Sequence, residues 1–167
     1  MQVNTRKITI SALFIAIGVA LSQLYIPIGV SKCFPIQHFI NVISAIFLGP
    51  FYAVLNAFLI SLIRNLLGMG SLLAFPGSMV GALLAGIFHH YFKNMYITAI
   101  GEIIGTGLLG ALIAIPIANI FMGSSYGAFF FIPPFIISTV AGSLIAIIVM
   151  KCIPVKKINE LKRYELK

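Results

Sequence analysis

Residues 33–63 read CFPIQHFINVISAIFLGPFYAVLNAFLISLI, a run of 31 positions without an Asp, Glu, Lys or Arg. One helix crosses a hydrocarbon core of about 30 Å with about 20 residues, so this run is too long for a single crossing. Gly49-Pro50 divides it, because glycine accepts a reversal of the chain and proline starts a helix far better than it continues one. Two apolar helices are expected, over about 35–48 and 51–66, the first opened by Pro35. That first helix is short, and a re-entrant segment is the alternative to a full crossing.

The same reading extends both ways. Of the 167 residues 60% are hydrophobic and 8% charged, against roughly 25% charged in a soluble domain. Upstream, Ile8 to Ile26 is free of charge and is closed by Pro27 and Gly29. No small-residue cleavage site follows and further apolar spans do, so this segment is expected to be a retained first helix and not a leader. Downstream, Gly68-Met-Gly-Ser71 reads as a loop, a helix is expected over 76–92, and Lys93-Asn94 makes a turn. The 57 residues 94–150 carry one charge, Glu102, and suit two crossings, 95–121 and 129–150, parted at Gly123-Ser-Ser-Tyr-Gly127. Pro116 is expected to kink the fifth helix, and Pro133 and Pro134 to distort the start of the sixth. The tail 151–167 is basic, with a short amphipathic helix on the membrane surface as the expectation. The chain thus reads as one all-α integral membrane domain, residues 1–167, with six transmembrane helices.

The net charge of +8 follows from placement and not from a nucleic-acid footprint. With six helices and the N-terminus inside, Arg6, Lys7, Lys93, Lys151 and the five basic residues of the tail lie on the cytoplasmic side, nine of eleven. An odd number of helices would move the tail charges outside, against the positive-inside bias. Both termini are therefore expected in the cytoplasm of a multi-pass protein of the cell membrane. Cys33 and Cys152 then lie at opposite membrane faces, so no disulfide joins them and both thiols read as structural.

Polar residues gather at the outer ends of the helices. Gln37, His38, Asn41 and Ser44 lie on the second helix, Ser61, Arg64 and Asn65 near the end of the third, Ser78 at the start of the fourth and Asn119 near the end of the fifth. Polar groups are costly in lipid and should face the bundle interior. Lys32 and Arg64 go against the charge bias; either alone could snorkel to the outer headgroups, but with His38, Asn41 and Asn65 beside them a solute pocket is the better reading. Tyr126 and Phe129 to Phe131 border the last outer loop, as an interfacial belt or as walls for a planar ring. Glu102, the one carboxylate within a span, is a candidate site residue by default; a contact with His89 or His90 across the neighbouring hairpin is the structural alternative. Ala12, Ala16 and Ala20 repeat every fourth position of the first helix, a flat strip for close helix approach, either inside the bundle or against a partner.

No second intramembrane carboxylate, no nucleophile with a base beside it, and no phosphate-binding Gly-Lys-Ser/Thr loop is present. An enzyme is therefore not expected, and no metal or cofactor is called for. No obvious inverted repeat or coupling-ion site marks a secondary transporter either. A solute carrier of this kind would borrow its energy.

Three segments carry a family resemblance: Lys32-Cys-Phe-Pro-Ile-Gln-His38, the run Arg64-Asn-Leu-Leu-Gly-Met-Gly-Ser-Leu-Leu-Ala-Phe-Pro-Gly-Ser78, and Gly101-Glu-Ile-Ile-Gly-Thr-Gly107 followed by Pro116. Together they resemble ThiW, the thiazole-specific substrate-binding (S) component of energy-coupling factor (ECF) transporters, over essentially the whole chain. The resemblance implies a six-helix protein that captures hydroxyethylthiazole, a thiamine precursor, from outside, shuttered by the loop between helices one and two. It implies partners as well: a coupling transmembrane subunit, docked on the strip Ala12, Ala16 and Ala20, and two ATPase subunits that use the ATP this chain does not bind. Residues 32–41, 64–78 and 119–131 would form the pocket and its gate. The sequence leaves two other classes open, a stand-alone oligomeric carrier or channel, and a membrane enzyme or assembly factor built on Glu102 with His89 or His90.

Overall fold

The computed structural model describes residues 5–28, 31–121, 123 and 130–153. Tyr126, Phe129 and the tail from residue 154, all singled out in the sequence, lie outside the described residues. Six helices follow in order. Helix α1, Thr5–Ala20, runs on as one 3-10 turn, Leu21–Gln23. A small antiparallel hairpin comes next, β1 Ile26–Ile28 with β2 Ser31–Cys33, pairing Ile26 with Cys33. Then come α2 Pro35–Leu48, α3 Pro50–Leu66 and α4 Ala74–Phe92. Helix α5 is continuous over Met95–Phe121, and α6 spans Ile132–Cys152.

Local chemistry explains the boundaries. Gly49 takes φ +84°, open to glycine without strain, and Pro35 and Pro50 stand at the first turns of α2 and α3, where a missing N–H has no partner to lose. Lys93 turns left-handed at φ 51°, and the Asn94 side chain accepts the Tyr96 and Ile97 amides to cap α5. Pro133 and Pro134 occupy the first turn of α6, so they open the helix and do not distort it. The expected irregularity at Pro116 is displaced. The backbone of α5 widens to π geometry over Gly105–Gly110 and is α-helical again through Pro116.

Among the described residues, three helices are long and apolar enough to cross a bilayer: α1 with its 3-10 turn, 19 residues, α5 with 27 and α6 with 21. Helix α2, with 14 residues, is about 21 Å long. It holds the centre. Eleven of its 14 residues are buried, among them His38, Asn41 and Ser44, which only a helix enclosed by others can afford. It also passes from the hairpin end of the bundle to the far end, where the Lys7 ammonium lies over the Tyr52 ring at 5.9 Å and so sets the start of α1 beside the start of α3.

Small residues set the packing. A Cβ on Gly105 would stand 2.7 Å from the Gly81 Cα, and one on Gly110 would stand 2.6 Å from the Gly77 Cα. Helices α4 and α5 therefore meet backbone to backbone, as close approach in lipid favours. Ala45 packs with Ala53 and Ala57 of α3 and Ala82 and Ala85 of α4, while Val42, Ile43 and Ile46 pack on Ala146 and Met150 of α6. Helix α1 is peripheral, burying only Ser11 and Gly18. The far ends bear Lys7, Lys93 and Lys151; the hairpin end holds a cavity.

Candidate binding cavity and its polar floor

The cavity has a volume of about 330 Å³ and opens among the hairpin, the first turn of α2, the end of α3, the loop before α4 and the first turns of α4 and α6. That is the low end of the roughly 300–1,000 Å³ usual for small-molecule sites. Its wall is aromatic on two sides. Phe130, Phe131 and Phe135 form one side, with Phe130 and Phe131 edge to face at 5.2 Å. Phe34 lies on another, its ring facing the Arg64 guanidinium at 3.8 Å and the Tyr25 ring at 6.0 Å; Lys32 in turn lies 4.7 Å from the Tyr25 ring centre. The hairpin is thereby stacked onto α3 through two neighbouring rings with a cation at either side. The Phe34 amide donates to Ser138 Oγ at 2.8 Å, and the Cys33 thiol donates to the Pro134 carbonyl at 3.2 Å, fixing hairpin and α2 to α6. Burial pushes the Cys33 thiol above its ordinary range.

Beneath the cavity lies a buried hydrogen-bond network centred on Glu102. Its Oε1 accepts from His38 Nδ1 at 2.8 Å, from Asn41 Nδ2 at 3.0 Å and from Thr106 Oγ1 at 3.1 Å. His38 also lines the cavity, so one imidazole joins the floor to the cavity wall. Asn41 Nδ2 also meets the Ser78 carbonyl and hydroxyl at 3.1 and 3.0 Å, and Thr106 Oγ1 reaches the Gly77 carbonyl at 3.0 Å. Three helices, α2, α4 and α5, are tied into one floor, and α6 is joined to the start of α2 through Ser138. The other Glu102 oxygen, Oε2, is buried without a hydrogen-bond partner.

These positions sort the residues expected from the sequence. Lys32, His38, Arg64 and Ser78 line the cavity, whereas Asn41 and Glu102 lie directly beneath it. Asn65 braces the loop, donating to the Ser61 and Ser71 carbonyls, and Asn119 is exposed on α5 away from the cavity. Two alternatives are overturned. Glu102 does not pair with His89 or His90: it reaches His38 on α2, and His89 Nδ1 instead meets Thr98 Oγ1 at 2.8 Å. Arg64 does not snorkel to the headgroups: it is 0% exposed, with Nη1 donating to Gln37 Oε1 and Nη2 to the Met69 carbonyl at 3.5 Å. Ala12, Ala16 and Ala20 are all exposed, so the strip does not pack within the bundle. Thr106, Ser138 and Phe135 had no part in the expected site, and Phe34 entered it only as one of residues 32–41; of the first three only Thr106 carried a signal, a hydroxyl one turn from the lone carboxylate.

The family model for the thiamine-precursor transporter protein (ThiW) matches residues 8–156. The chain belongs to the ThiW family. It is therefore a member of a family of thiamine-precursor transporters, which is not an enzyme class. No curated protein and no solved structure matches the chain. For a ThiW member, a cavity with aromatic walls and a hydrogen-bonding floor is chemically apt, since thiamine precursors are planar heteroaromatic rings with polar substituents.

Proposed function

We propose that this ThiW protein is the substrate-binding component of an ECF-type importer in the cell membrane, and that the 330 Å³ cavity takes up hydroxyethylthiazole from outside. The observation that carries the proposal is the union of the two halves of the site. Aromatic side chains from the α2 and α6 ends supply faces for a planar ring, and His38 and Ser78 supply directed polar atoms held by Glu102, Asn41 and Thr106. The positive-inside bias supports an outward-facing cavity, because Lys7, Lys93 and Lys151 lie at the other end. The hairpin between α1 and α2 serves as the shutter, since Lys32 on it lines the cavity. The exposed strip Ala12, Ala16 and Ala20 is the docking face for a coupling transmembrane subunit, whose two ATPases spend the ATP.

Two experiments test this. Purified protein titrated with hydroxyethylthiazole, the pyrimidine precursor, thiamine and riboflavin should bind the thiazole most tightly; binding of none refutes the assignment. Proteoliposomes holding this chain alone should not accumulate the thiazole. ATP-independent uptake there would replace the coupled scheme by a stand-alone carrier.

A further inference from the structure

Arg64 is completely buried, and among the described residues no carboxylate lies within ion-pair distance of it. The one acidic side chain in those residues, Glu102, is engaged with His38, Asn41 and Thr106. A guanidinium carries five N–H donors and keeps its charge at any physiological pH. Here those donors meet two neutral oxygens, Gln37 Oε1 and the Met69 carbonyl, and Nε has no hydrogen-bond partner among the described residues. A buried charge left this way is costly unless something compensates it.

The compensation is missing on the side of the cavity. Arg64 forms part of its wall, Lys32 forms another part, and among the described residues no Asp or Glu lines it. The weakest of its bonds, 3.5 Å to the Met69 carbonyl, belongs to a loop flanked by Gly68 at φ +71° and by Gly70, so that carbonyl is the partner most readily exchanged.

We infer that the ring compound this cavity takes carries an anionic substituent, a carboxylate or a phosphate monoester, held by Arg64 with Lys32 beside it. The inference rests on the thiamine-precursor reading of the cavity and replaces the neutral alcohol named there by an anionic derivative of the same ring. Planar guanidinium recognises either oxyanion through paired hydrogen bonds, and the Phe34 ring behind it keeps the fork in place.

The test is calorimetric titration of the full chain in nanodiscs with three ligands: neutral hydroxyethylthiazole, its phosphate monoester, and the same ring bearing a carboxylate. One charge-assisted pair gained on binding should favour an anionic form by about tenfold or more over the alcohol. The comparison of phosphate with carboxylate tells which oxyanion is meant. Arg64→Gln should abolish the preference for the anionic forms over the alcohol, and Lys32→Gln, at an exposed position, should weaken that preference by about threefold. The wild-type comparison stands even if Arg64→Gln fails to fold. Equal or tighter binding of the alcohol overturns the inference and leaves the thiazole reading intact; no binding of any of the three overturns both.

Discussion

At the scale of single residues, the floor of the cavity depends on one carboxylate oxygen that serves three donors from two helices. Glu102→Leu strands those donors in the interior and should lower stability by about 3 kcal/mol or more, whereas Glu102→Gln keeps an acceptor and should cost about 1 kcal/mol; thermal unfolding in detergent reads the difference. Cysteine chemistry offers a second check. Burial raises the Cys33 thiol, so at neutral pH it holds less thiolate than an ordinary cysteine and should resist maleimide, its labelling rising only as the pH goes above the usual thiol range. Cys152 is exposed and should label readily in the same sample. The sequence pointed to Glu102 and His38 separately, because ionisable groups inside an apolar span stand out by cost alone. It did not pair them. Partner choice depends on the register of α2 against α5, two elements 64 residues apart at this contact, while the hairpin of α4 and α5 offered His89 as a nearer candidate.

Among the elements, the α4–α5 seam sets the geometry of the floor. A Cβ on Gly81 would fall 2.0 Å from Thr106 Oγ1 and 2.8 Å from Glu102 Oε2, so Gly81→Ala must part the helices or break the network. It should cost about 2 kcal/mol or more and weaken ligand binding, measured by thermal shift with and without ligand. The six helices and their order were legible in the sequence because apolar length, Gly49-Pro50 and Lys93-Asn94 are local signals. The π segment was not, since Gly105, Gly107 and Gly110 permit a wide turn without dictating it, and the seam with α4 selects it. The hairpin was likewise read as a plain loop. Its pairing of Ile26 with Cys33 is held by contacts to α6 and α3, far away in the chain.

For the whole molecule, polar chemistry sits at one end of the bundle and basic anchors at the other, with a peripheral α1 whose small-residue strip is exposed. Ala16→Leu should leave ligand binding intact and abolish uptake in cells that carry the coupling subunits, because the added side chain prevents close helix approach. Surviving uptake would assign the strip to lipid. The central claim is that the cavity beneath the hairpin is where the thiazole precursor binds, and titration of the wild type beside Ala74→Phe tests it most directly. Ala74 lines the cavity at the first turn of α4, so a phenyl ring there should fill the space without disturbing Glu102. Saturable binding of a thiazole ligand to the wild type, weakened at least about tenfold in Ala74→Phe, is the predicted result. Equal affinity in the two proteins would contradict the account.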